Sequence, residues 1–294
     1  MKKNNLKKVI IIGSCVLFSS LALAFAFDWP DKDDGSSVII SHFGQLRGGT
    51  LETSLIFRDK DNVYSSEHGK VVMQIREHDC DMGWSESPLG NADIISHSND
   101  IYTVYGNLSE ENLNDYRDGA VELIKGSYLG IPGESGWREE DSGLEFQLLD
   151  LKNKTAINPK IVLPRTGREK ALTTGTVILE DRRGNIYDLE KTDRIPSEAY
   201  RIYKVRQDST VPFETSLSVN GVTIDTISYD SIRENEGRIC VSGKNQYYTD
   251  ILYPDEERQF LASTTLFKGK NVFRVTLTDI TGHTKTSTFT VEVY

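Results

Sequence analysis

The chain has 294 residues, with 44 acidic against 34 basic side chains and a formal charge of −10. That balance disfavours nucleic acid and anionic lipid surfaces as partners, since both would repel it. Three cysteines are too few for a disulfide framework, and no phosphate loop or dinucleotide fingerprint occurs.

The first 26 residues read as a signal peptide. Lys2, Lys3, Lys7 and Lys8 form a positive start, Val9 to Leu23 an apolar run, and Ala24-Phe25-Ala26 a small-x-small cleavage site before Phe27. The run is shorter than the roughly 20 residues of a spanning helix, and an uncleaved anchor stays open beside cleavage. Ile12-Gly13-Ser14-Cys15 resembles a lipoprotein box, but most of the apolar run follows the cysteine. Export places the remainder in a periplasm or outside the cell. Removing four lysines and no acids takes its formal charge from −10 to −14. Cys80 and Cys240 then remain and read as free, half-buried thiols, with pairing as the alternative.

Residues 27–38 read as a polar lead-in without structure of its own. Beyond it come short runs rich in Val, Ile, Thr and Tyr, broken by Gly, Asn, Asp and Ser, which predict an all-β chain. Ser37 to His42, Gly69 to Arg76, Ala92 to Ser96, Ile101 to Gly106 and Leu144 to Leu149 are expected as strands. A helix is expected over Ser109 to Asn114, where Ser109 would cap and Glu110 and Glu111 suit the first turn.

The composition changes near Leu163 to Arg168, which suggests one domain over 39–164 and a second over 170–294. In the second, Thr176 to Glu180 and Ile186 to Leu189 flank an Arg183-Gly184-Asn185 turn. Ser216 to Val219 and Val222 to Ile227 flank Asn220-Gly221, a strong hairpin signal. Val272 to Leu277 and Thr286 to Val293 close the chain around Asp279 to His283. Such repetition suggests a β-sandwich of immunoglobulin-like kind.

The first domain resembles the lysostaphin/LytM family of zinc-dependent peptidoglycan endopeptidases. The resemblance rests on ordered marks: Phe43-Gly44 with Arg47-Gly48-Gly49, Val63-Tyr64 through Gly69-Lys70-Val71, and Ala92 to His97 followed by Val104-Tyr105-Gly106-Asn107-Leu108. Gly133-Glu134-Ser135-Gly136, Leu144-Glu145-Phe146 and Asn158-Pro159 follow in the family's order. It implies a LytM-type (duplicated hybrid motif-like) β-domain. In that family a zinc ion with three protein ligands and an open fourth position activates water. The positions that would carry its ligands and assisting histidines fall here on Glu52, Ile56, Asn107, Gly143 and Glu145. Even a shifted alignment restores no histidine, because none lies between His42 and His68.

The resemblance therefore implies a pseudoenzyme without a cofactor, used for binding. Its groove is expected between loops around Gly44, Trp84, Asn107 and Trp137, with Trp84, Asn107, Trp137 and Glu145 as candidate contacts. The partners implied are peptidoglycan stem peptides, or a cell-wall hydrolase or other envelope protein. Two alternatives stay open: an active endopeptidase with a displaced metal site, and a structural envelope protein. The five histidines have plainer readings: His42 structural, His68, His78 and His283 in turns or loops, and His97 at a family position that binds no metal.

Overall fold

The computed structural model describes residues 27–31, 38–58, 62–76, 87–111, 113–116, 121–136, 143–165 and 169–294. The protein is nearly all β. Among these residues its one α-helix is the short Thr249–Leu252.

Strict alternation builds the C-terminal region. Along Gly269–Thr278, Asn271, Phe273, Val275 and Leu277 are buried in turn, the period of a strand with one face on a core. The chain reverses at Asp279–His283, where the Asp279 carboxylate accepts from the Thr281 and His283 N–H groups, and returns as Thr284–Val293. Glu214–Val219 and Val222–Asn235 join this sheet through Asn220 and Gly221. Their φ values of 52° and 82° are the left-handed pair a two-residue hairpin needs. A four-stranded sheet, ordered Ile186–Asp188, Val177–Asp181, Ala199–Val205 and Arg258–Thr265, shares the core of Val177, Leu179, Ile202, Leu217, Phe273 and Val275.

The N-terminal region is a second run of antiparallel strands. Leu144–Asp150 lies at its centre, between Ser54–Arg58 and Ile101–Leu108; Asn91–Ser96 and Gly69–Ile75 follow outward, and Val38–Ser41 flanks Ser54–Arg58. The expected strands form within a residue or two of their predicted ends. Ser54–Arg58 and Thr155–Ile157 were not predicted.

Two other expectations give way. The segment 27–31 is built in: Phe27 is buried, Trp29 Nε1 donates to Pro164 O at 2.9 Å, and the Trp29 ring meets Phe57 edge-on at 5.9 Å. Burying a large aromatic side chain contributes about 1.5–3 kcal/mol, enough to order a short polar segment around it. The described residues of 109–114 are not helical. The Asn114 carbonyl instead accepts from Gln74 Nε2 at 2.9 Å and from Arg76 Nη2, so the sheet edge draws the segment out.

The two regions meet along a strand. Thr155–Ile157 pairs with Leu144–Asp150 on one edge and with Ser231 to Arg233 of the long Val222–Asn235 strand on the other. One sheet therefore runs through both regions. Phe43, Leu46, Tyr229, Tyr253 and Phe260 share a core across the join.

Candidate functional site

The strand register brings the family positions together. Glu145 lies opposite Ile56 on one side and Gly106 on the other, and Gln147 lies opposite Ser54. Ser54, Ile56, Glu145 and Gln147 consequently share one face of the sheet, with Glu52 just before it. Glu52, Ser54, Ile56 and Glu145 are buried and Gln147 is half-buried; the other two family positions, Asn107 and Gly143, are buried as well.

What stands there is a set of internal fastenings. Glu52 Oε1 accepts from the Ser54 N–H at 3.1 Å and the Ser54 hydroxyl at 2.5 Å. Its Oε2 accepts from Arg47 Nη1 at 3.1 Å and from Ser41 Oγ at 3.4 Å. Both oxygens are occupied, one by a fixed positive charge. Glu145 Oε1 accepts from Gln147 Nε2 at 2.8 Å. Ile56 offers no donor atom.

Asn107 has φ 62°, a left-handed conformation that asparagine tolerates better than most side chains. Its Nδ2 donates to the carbonyls of Gly133 and Gly143, each at 2.6 Å, and its Oδ1 accepts from the Gly136 N–H at 2.7 Å. The amide's donors and acceptor are thus all held by backbone. Asn107 clips three loop points together and is wholly buried, so it does not present the open contact expected of it.

Gly143 is the tightest position. A Cβ there would lie 2.2 Å from the Phe57 carbonyl oxygen, which is backbone and cannot swing away. No side chain, a metal-binding histidine included, fits without moving a strand. Together these residues do not fit a zinc ion, which needs three converging nitrogen, sulfur or carboxylate donors. Among the described residues no three His, Cys, Asp or Glu side chains converge.

The histidines take structural places. His42 is buried, and burial followed by the charges of Lys160 and Lys170 holds its pKa down to about 4. His97 joins the His68 carbonyl through Nδ1 and the Thr103 hydroxyl through Nε2, both at 2.8 Å, and burial lowers its pKa. His68 and His283 are exposed. Trp84, Trp137, His78, Cys80 and the leader lie outside the described residues; Cys240 is buried and free.

The expected wall at Gly44 is covered by the other region. Tyr253 donates its hydroxyl to Gly44 O at 2.8 Å, and a Cβ at Gly44 would lie 2.8 Å from the Tyr229 ring. Beside this contact an open cleft of about 760 Å³ runs between Leu46, Gly49 and Thr50 and the segment around Arg238, Asp250 and Tyr253. Sequence reading could not find this contact, because its residues are 209 positions apart and neither tyrosine carries a motif.

An uncharacterized protein of Treponema pallidum (strain Nichols) is 34% identical to this chain over 127 residues, spanning 40% of this chain and 82% of the relative. The two proteins belong to one family. Residues 171–294 also match a protein-family model. Solved structures similar to this one include M23 metallopeptidases, at low identity. The catalytic domain of the prophage-encoded M23 protein EnpA from Enterococcus faecalis is 18% identical, with TM-score 0.35, covering 43% of this chain and 91% of that one. A zinc-containing peptidase from Vibrio cholerae is 22% identical, with TM-score 0.33, covering 42% and 36%. The deep-sea M23 metalloprotease pseudoalterin is 15% identical, with TM-score 0.30, covering 76% and 98%. At such values these neighbours lend the chain none of their chemistry.

Proposed function

We propose that this chain is an exported, non-catalytic LytM-like protein of the cell envelope, which binds peptidoglycan stem peptides or regulates a cell-wall hydrolase. One observation carries the non-catalytic part: the strand backbone fills the space beside Gly143, a position at which the resemblance calls for a histidine. The Arg47–Glu52 ion pair supports it, since the carboxylate that could replace a ligand is already neutralised by a cation. The envelope part rests on the leader and on the ordered LytM marks from Phe43 to Pro159. The boundary near 164–170 belongs to the same proposal, as does a groove completed by Trp84 and Trp137.

Elemental analysis of the purified chain, peptidoglycan digestion and sedimentation with isolated sacculi together test this reading. The expected result is no stoichiometric zinc, no cleavage and retention on sacculi or on a hydrolase partner. Zinc with cleavage would overturn the non-catalytic reading. Retention by residues 170–294 alone would instead make the first region a structural support.

A further inference from the structure

The residues that follow the expected cleavage site are built into the fold, where the sequence predicts a free polar lead-in. Phe27 is 1% exposed, and Pro30 and Asp31 are buried with it. The Phe27 ring meets the His97 ring edge-on, with centroids 5.2 Å apart. Asp28 donates its N–H to Ser66 O at 2.8 Å, and Tyr64 donates its N–H to Pro30 O at 2.7 Å. The Asp28 carboxylate pairs with Lys125 at 2.9 Å. Trp29 adds its contacts with Pro164 and Phe57. The strap 27–31 thus touches the chain at Tyr64 to Ser66, the sheet at His97, the strand Ser54–Arg58 and the end of the N-terminal region at Pro164.

No spacer is left between the fold and the bond before Phe27. A peptidase takes its substrate as an extended segment, through backbone N–H and C=O groups beside the bond it cuts. Here the Asp28 N–H is committed to Ser66, and the side chain next to the bond lies inside. Phe27 and Trp29 would both have to leave their contacts before the bond could enter an active site. Withdrawing two large aromatic side chains makes such an opening about a hundredfold or more rarer than in a free chain.

We propose that the Ala26–Phe27 bond can be hydrolysed only until the N-terminal region closes on residues 27–31, so that folding decides whether a chain is released or stays tied to the membrane by its leader. In the cut, water adds across the amide: Ala26 leaves with a carboxylate and Phe27 gains an ammonium. A chain that folds first keeps its leader, and cleavage and anchoring become the two outcomes of one race. The race presupposes the leader of the function proposed above and is independent of how the family positions are used.

Cleavage by a signal peptidase in detergent, read by mass spectrometry on two substrates, tests this. One is the folded full-length precursor. The other is a synthetic peptide of residues 1–36, which carries the bond without the surfaces that hold the strap. The peptide should be cut before Phe27, and the folded precursor about a hundredfold or more slowly. Trp29→Ala, which changes no residue adjoining the bond, should speed cleavage of the folded precursor about tenfold or more. Should that variant fail to fold, exchange of the Asp28 amide proton in the wild-type precursor takes its place: slowing by about a hundredfold or more is expected, and free exchange would overturn the proposal. A folded precursor cut as fast as the peptide, or a Trp29→Ala rate equal to the wild type's, would overturn it with the leader reading intact. A peptide cut elsewhere or not at all would remove the leader reading and the proposal together.

Discussion

The C-terminal and N-terminal regions are both paired strands, but they place polar side chains differently. In residues 170–294 the carboxylates of Asp181, Asp188 and Asp279 sit at turns and accept from N–H groups two to four residues away. The cluster between its sheets is built of apolar side chains, with Lys204, whose pKa burial lowers to about 8, Asp225 and Gln259 also buried in the region; Asp225 accepts from the Tyr247 hydroxyl and Gln259 Nε2 donates to the Tyr229 hydroxyl. In the N-terminal region Asn107, Asp93 and His97 are drawn inside, and each bonds an atom distant in sequence. Both regions have distant side-chain bonds, but Asn107, Asp93 and His97 sit inside with partners 19 to 29 residues away, which leaves them more exposed to single substitutions than the turn carboxylates of the C-terminal region.

The largest expected effect follows from the crowding at Gly143. Gly143→His should cost about 3 kcal/mol or more, since the new Cβ meets immovable backbone, and urea unfolding should show it. A small change in midpoint, or zinc binding gained without loss of stability, would mean that the strand yields there. Asn107→Ala should follow at about 2–3 kcal/mol, as it strips partners from Gly133, Gly136 and Gly143 and puts alanine at a positive φ. Removing the turn carboxylate by Asp279→Ala should cost less, because that turn is exposed; an equal loss would erase the contrast between the regions.

The Asp93 effect depends on pH. Burial raises its pKa to about 6 from an ordinary 3.8, against the opposing influence of Gln74 and Arg76. A raised carboxyl pKa favours the fold most below the unfolded value and loses that advantage as pH rises through 6. Asp93→Asn should match the wild type near pH 4 and exceed it by about 2–3 kcal/mol at pH 8. Stability curves of the two proteins that stay parallel from pH 4 to 8 would contradict this. The smallest effect is expected at the seam, where Tyr253→Phe removes the hydrogen bond to Gly44 at a cost of about 1 kcal/mol.

Turn chemistry made the C-terminal region legible: Asn220-Gly221 and Arg183-Gly184-Asn185 fall where the chain reverses. Alternating runs likewise disclosed Asn91–Ser96 and Ile101–Leu108. The Ser54–Arg58 strand escaped notice because it lies in the most eroded stretch, where Leu55, Ile56 and Phe57 run together without alternation. Phe27 and Trp29 carried a faint signal, two aromatics alternating with Asp28 and Pro30, in a segment too short for periodicity to declare. At the family positions the residue types were legible and their surroundings were not. Nothing in the sequence reveals that the Asn107 amide is held from three sides, or that Phe57 O closes the space at Gly143.

The strand Thr155–Ile157 has a mechanical consequence. Its bonds to Leu144–Asp150 and to Val222–Asn235 lie across the strand direction, as antiparallel bonds do. A pull along the strands loads several of them at once in shear and does not peel them one by one. Tension applied to the C-terminal region therefore passes through the backbone ladder to Leu144–Asp150, the strand that carries Glu145, and the two regions bear force as a single tie.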